Sequence, residues 1–287
     1  LPFISIFLVL ICVVGSYIGL GGKLSVLYQP FEVVIILGAG LSAYMIANRP
    51  RSIKVALRLL KGVFKGPKYK KDIYEDLLKL QFQIFRLIRQ RGALALEQHI
   101  ENPAESTIFS NFPKITAYPI LMNFICDYLR IISLGVDDPH VIETLMEEDI
   151  EALEAEEVSA LQALSTLADS FPALGIVAAV LGVIKTMGSI TEPPEILGSL
   201  IAGALVGTFL GVLLSYGWFS PLANGAKQVF DTDKRAFTAI KAGIIANLHG
   251  QAPSVAIEFS RKTLLPEHRP TFDELEESLN ETPATEN

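Results

Sequence analysis

The sequence predicts an all-α integral membrane protein with four transmembrane helices and a helical cytoplasmic domain between the second and third. Three observations predict it. Four uncharged apolar runs lie at roughly residues 1–20, 33–48, 171–184 and 196–226. Each is long enough, or nearly so with its flanks, to cross an apolar layer of about 30 Å as a helix. A charged insert separates the first pair from the second. Finally, nine Lys or Arg and no acid lie between Arg49 and Lys71, immediately after the second run.

Half of the 287 residues are hydrophobic and 19% are charged, so apolar blocks coexist with a large wetted part. A net charge of −7 disfavours nucleic acid as a partner, because phosphate binding needs a clustered basic face. The two cysteines, Cys12 in the first run and Cys126 in the insert, face different surroundings, so no disulfide framework is expected. The first run is too long for a typical signal core and no basic stretch precedes it, so it is read as a span and not as a cleaved signal peptide. By the positive-inside rule the insert and both termini are cytoplasmic, and both short connectors face outward.

In chain order, the first run ends at Gly21-Gly22. The connector from Lys23 to Pro30 turns the chain back with Tyr28 at interface depth, and Pro30 suits the start of a helix, where its missing N–H needs no partner. The basic stretch carries Ile53, Val55, Leu57, Leu59, Leu60, Val63 and Phe64. It reads as an amphipathic helix lying on membrane lipid, or as a face for an acidic partner. Leu77, Leu80, Ile84, Leu87 and Ile88 recur at helical spacing from Asp72 to Arg91, where Gly92 stops or kinks the helix. A second helix starts near Ala93 and ends before Asn102-Pro103. Residues 114–135 form a mostly apolar helix, too polar at Asn123, Asp127 and Arg130 to be a fifth span.

From Glu143 to Glu157 there are eight acids in fifteen residues, over a helical stripe of Ile142, Leu145, Met146, Ile150 and Leu153. They form either a solvated outer face or a docking face for a basic partner. Asp169 to Pro172 reads as an N-cap followed by a proline in a first turn, the start of the third span. The fourth run carries Gly203, Gly207 and Gly211 at four-residue spacing, a stripe that lets another helix approach closely or lines a narrow passage, with Thr208 as its hydroxyl. Pro221 bends that helix, and together with Pro172 it could form a hinge. A further helix runs from Lys227 to about Asn247. A turn follows at His249-Gly250, then the segment from Ala252 to Leu265, with the last dozen residues disordered. None of the four runs contains Asp, Glu, His or Arg, so the spans are expected to relay no protons through their own side chains. The expected division is 1–49, 50–168, 169–222 and 223–287. No cofactor or metal is expected, and scattered histidines with no paired nucleophile and base argue against an enzyme.

Several co-linear blocks carry a family resemblance over nearly the whole length. They are Leu27-Tyr28-Gln29-Pro30-Phe31-Glu32 with Gly38-Ala39-Gly40, Leu96-Glu97 through Pro103, Asp127 to Arg130, Phe171 to Ala179, Val206 to Gly211, and Ser220 to Ala223. In these the chain resembles the MotA family of flagellar stator subunits, within the MotA/TolQ/ExbB proton channels. The resemblance implies a homo-oligomer, a pentamer around a dimer of MotB, whose membrane aspartate binds the ion, in the bacterial inner membrane. It implies an ion path and partner-facing helices at Pro172, Ala179, Gly203, Gly207, Thr208, Gly211 and Pro221. Ala179 and Gly207 stand where sodium-driven relatives carry threonine, which implies a proton-driven motor. Contact with the rotor protein FliG is implied at Arg89, Glu97 and Asp149. The alternatives are an ExbB/TolQ-type ring energising a periplasm-spanning partner, for which three spans are expected, and a non-conducting membrane scaffold.

Overall fold

The computed structural model describes residues 2–280, and among them there are helices and no strands. Four helical stretches are long and apolar enough to cross a membrane. Helix α1, Pro2–Gly19, buries none of its side chains, which is what a lipid-facing helix requires. After Gly21 (φ 83°) and a single turn at Leu24–Leu27, α2 starts with Pro30 in its first turn. It runs through Pro30–Val33, a wide π-helical turn at Val34–Gly38, and Ala39–Ala47. The amphipathic helix follows as α3, Pro50–Lys65. Next come α4, Lys71–Arg91, and α5, Pro119–Ser133.

Helix α6 is a single 50-residue helix, Pro139–Gly188, and it corrects the expected start at Pro172. The serine that reads as a cap does something else: Ser170 Oγ donates to the Leu167 carbonyl 2.7 Å away, one turn back in the same helix. Phe171 is fully buried at this point, so packing holds the helix together where proline removes one backbone bond. Helix α7, Pro194–Val212, passes through a second π-helical turn, Leu213–Phe219, into α8, Ser220–Leu248. Here the Ser220 N–H reaches the Ser215 carbonyl five residues back, just before Pro221, so the expected bend takes the form of a widened turn. The helix expected from Lys227 is therefore continuous with the fourth span. Helices α9, Pro253–Thr263, and α10, Phe272–Asn280, complete the described chain. The expected disorder of the last dozen residues is corrected up to Asn280, which ends α10; beyond it the expectation lies outside the described residues.

The chain divides into two compact units. The first comprises Leu1–Gly66 and Ala155–Phe230, with a core of Ile36, Leu167, Phe171, Ala178 and Leu214. The second comprises Pro67–Glu154 and Asp231–Asn287. Its larger core is built from α4, α5, α8 and α9, with Leu77, Phe85, Phe124, Ile125, Ile240 and Ile257 at its centre.

Candidate functional site

In the first unit the glycine stripe meets another helix of the same chain. A methyl group built at Gly211 would lie 2.6 Å from the Phe171 carbonyl oxygen and 2.8 Å from Gly175 Cα. One at Gly207 would lie 3.0 Å from Ala178 Cβ and 3.2 Å from the Ala179 nitrogen. On α6, Gly182 answers with the same constraint, its added methyl falling 2.7 Å from Ala204 Cβ. Backbone therefore lies on backbone along the α6–α7 pair, a contact only glycine and alanine allow. Gly203 faces elsewhere: its added methyl would lie 3.1 Å from Gln29 Nε2 of the connector between α1 and α2. All three stripe glycines are buried within the single chain, whereas Thr208, Ala179 and Pro172 are half-buried and Pro221 is exposed.

Three polar groups of this unit are buried without a hydrogen-bond partner: Glu32 Oε2, Tyr44 Oη and Ser215 Oγ. Ser215 sits in the π-helical turn before Pro221, and the Phe171 and Phe219 rings pack across it at 4.6 Å. Glu32 corrects the expectation that the spans hold no carboxylate. Counting apolar residues starts the second span at Val33, but the helix starts at Pro30, which places Glu32 inside it and its Oε2 2.9 Å from where a Gly207 methyl would stand. The signal was present, since Glu32 ends the Leu27-to-Glu32 block.

In the second unit, Arg89 lies in the last turn of α4, which Gly92 (φ 82°) closes by donating its N–H to the Ile88 carbonyl at 2.8 Å. The chain re-enters through a tight turn at Ala93–Leu96, and Glu97 opens the short helix Glu97–Ile100. Arg89, Arg91 and Glu97 are exposed, and none has an ion-pair partner among the described residues. Asp149 differs. It is half-buried and accepts a hydrogen bond from Tyr128 Oη at 3.2 Å, tying α6 to α5. Burial, and then the Asp149 charge, push the Tyr128 hydroxyl well above its ordinary pKa.

The acidic run resolves into internal pairs. Glu147 pairs with Lys241 at 2.6 Å and Glu154 with Lys234 in the second unit. Glu156 pairs with Arg51, and Glu157 with Arg58 at 2.7 Å, in the first. Glu148 and Glu151 remain exposed. Of the basic stretch, Arg51, Arg58, Lys68 and Lys71 have acidic partners, which leaves Lys54, Lys61 and Lys65 of α3 free among the described residues.

Comparison with known proteins adds three findings. Residues 3–92 match the family Motility protein A N-terminal, and residues 120–237 match the MotA/TolQ/ExbB proton channel family. The chain is 45% identical over 267 residues to Motility protein A of Escherichia coli, covering 93% of this chain and 90% of that one. It is 34% identical over 279 residues to Chemotaxis protein LafT of Vibrio parahaemolyticus, covering 97% and 98%. Among solved structures it is similar to the flagellar MotAB stator complex from Bacillus subtilis, with a TM-score of 0.71 and 26% identity over 93% of this chain and 97% of that one. The fold also matches a chain of C. jejuni MotAB, with a TM-score of 0.75 and 20% identity over 94% and 98%.

Proposed function

Because the chain belongs to the MotA/TolQ/ExbB proton channel family, in its motility protein A branch, we propose that it is a ring-forming subunit of the flagellar stator that couples proton flow to torque on the rotor. The observation that carries the reading is the α6–α7 wall, where backbone packs on backbone along residues 171–184 and 203–211, stretches of the two helices that contain no carboxylate. A wall with no titratable group of its own leaves that group to a second chain. The similarity to MotAB complexes supports MotB as that partner, with five copies of this chain around a MotB dimer. The free lysines of α3 support contact with anionic lipid at the cytoplasmic face, with both termini inside and the assembly in the inner membrane.

Protonating the MotB aspartate removes a charge from an apolar lining and changes which packing of the ring around the dimer is favoured. On this reading Thr208, Ala179 and Pro172, half-buried positions beside the glycine contact, face that aspartate, and the π-helical turn before Pro221 changes its hydrogen bonding. Each charge crossing the membrane brings about 2.3 kcal/mol per 100 mV, enough to bias a packed interface and too little to break a core. Ring steps then act on FliG through Arg89 and Glu97, the exposed charges without internal partners. The experiment is swimming of cells that carry this chain in place of their own stator subunit. A protonophore should stop them at neutral pH, and removing sodium should not. Dependence on sodium would overturn the choice of ion.

A further inference from the structure

We infer that Glu32 is a proton-loading carboxylate at the outer mouth of the pathway, taking protons from external water and handing them toward the partner's carboxylate. The inference rests on the orientation and pathway just proposed. An ionisable residue inside a membrane helix is costly to keep and marks a functional position unless something neutralises it. Among the described residues no group hydrogen-bonds Glu32 Oε2, which is buried against Gly207, one residue from Thr208. The side chain as a whole is only half-buried, while its Oε2 is buried beside Gly207 of the α6–α7 wall.

The neighbours fit a transient rather than a permanent charge state. The charged group acting on it is Lys185, in the last turn of α6, and the two do not form an ion pair. From the connector, Gln29 spends its amide on the Val26 carbonyl at 3.2 Å, and α7 presents Gly203 and Gly207, which carry no charge. The step is a simple proton transfer: a water-borne proton binds the carboxylate, then leaves through water to the partner's aspartate, and the Glu32 anion is regenerated. The need for such a group is kinetic. At pH 7 a single site meets hydronium on the order of 10²–10³ times per second at a diffusion-limited rate of about 10⁹–10¹⁰ M⁻¹s⁻¹. A negative charge at the mouth raises the local hydronium concentration and with it that rate.

The test uses rotation speed under low and high load in cells carrying the full chain with its partner, comparing wild type, Glu32→Gln, Glu32→Asp and Lys185→Met. At high load the driving force sets the speed, so Glu32→Gln should keep near-normal torque. At low load proton arrival limits the speed, which should fall at least two-fold, more steeply as external pH rises, and recover in Glu32→Asp. Lys185→Met should retain more than half the low-load speed. An unchanged low-load speed in Glu32→Gln, or an equal loss at every load that Glu32→Asp fails to restore, would overturn the loading role. Persistence of wild-type rotation after both the membrane potential and the pH gradient are collapsed would instead overturn the motor reading itself.

Discussion

Gly211 stands so close to Phe171 that a methyl group on it would sit 2.6 Å from the Phe171 carbonyl oxygen, well inside contact distance. The obstructing atom is the backbone of a fully buried residue, so neither helix can yield cheaply. Gly211→Ala should therefore force α6 and α7 apart and cost about 1–3 kcal/mol, the usual range for overpacking. Gly198→Ala in the same helix, with open space around its Cα, is the control and should be neutral or gain up to about 1 kcal/mol of helix propensity. Thermal unfolding in detergent measures both. Equal midpoints for the two variants would show that the close approach does not hold the pair together.

The sequence made the spans, the amphipathic α3 and the stop at Gly92 legible because each depends on local periodicity or on one residue's backbone freedom. What it hid depends on distance in the fold. Glu157 and Arg58 are 99 positions apart, so nothing local distinguishes a paired acid from a solvated one. Ser170 and Pro172 have the spacing of a helix start, and only the burial of Phe171 lets the helix run through them. The glycine stripe was legible as a close contact but not as one made within the chain. Glu32 was overlooked because counting apolar residues cannot show that a helix starts three positions before the run does.

His99 gives the second unit a dependence on acid. It is buried, with Nδ1 2.9 Å from Ser106 Oγ and Nε2 3.1 Å from the Gln98 amide nitrogen. An amide nitrogen only donates, so Nε2 accepts and the neutral ring donates from Nδ1 to Ser106. Burial lowers the His99 pKa below its ordinary value of 6.5. Between the lowered folded value and 6.5 the unfolded chain binds more protons, so stability is complete above about 6.5 and falls as pH drops toward the folded value. Chemical denaturation from pH 7.5 to 5.5 should show this slope, and His99→Gln should flatten it. A slope unchanged by the substitution would place the acid sensitivity elsewhere.

Cys126 should be nearly inert in the folded protein. It is buried on α5, and burial pushes its thiol up to about 11, far from the thiolate needed for reaction. In a Cys12→Ser background, maleimide at pH 7 should label the native chain at least ten-fold more slowly than the unfolded one. Rapid labelling of the native form would mean that α5 opens readily from its core.

The exposed charges at the end of α4 carry the coupling prediction. Arg89 and Glu97 have no ion-pair partner among the described residues, so reversing either should change stability by less than about 0.5 kcal/mol. If they are the charges through which torque leaves the molecule, reversal should still slow swimming, because like charges placed opposite a partner both repel it and misregister the contact. Glu97→Lys should be the more severe change. Glu97 is the lone acid of the tight turn, whereas Arg91, exposed two residues beyond Arg89, continues to supply positive charge in Arg89→Glu. Pairing Arg89→Glu with Arg91→Glu should remove that reserve and bring the loss to the level of Glu97→Lys. Swimming speed, read beside the membrane abundance of each variant, separates coupling from folding. Full-speed swimming when Arg89→Glu, Arg91→Glu and Glu97→Lys are combined would rule out the end of α4 and the turn after it as the place where force is delivered.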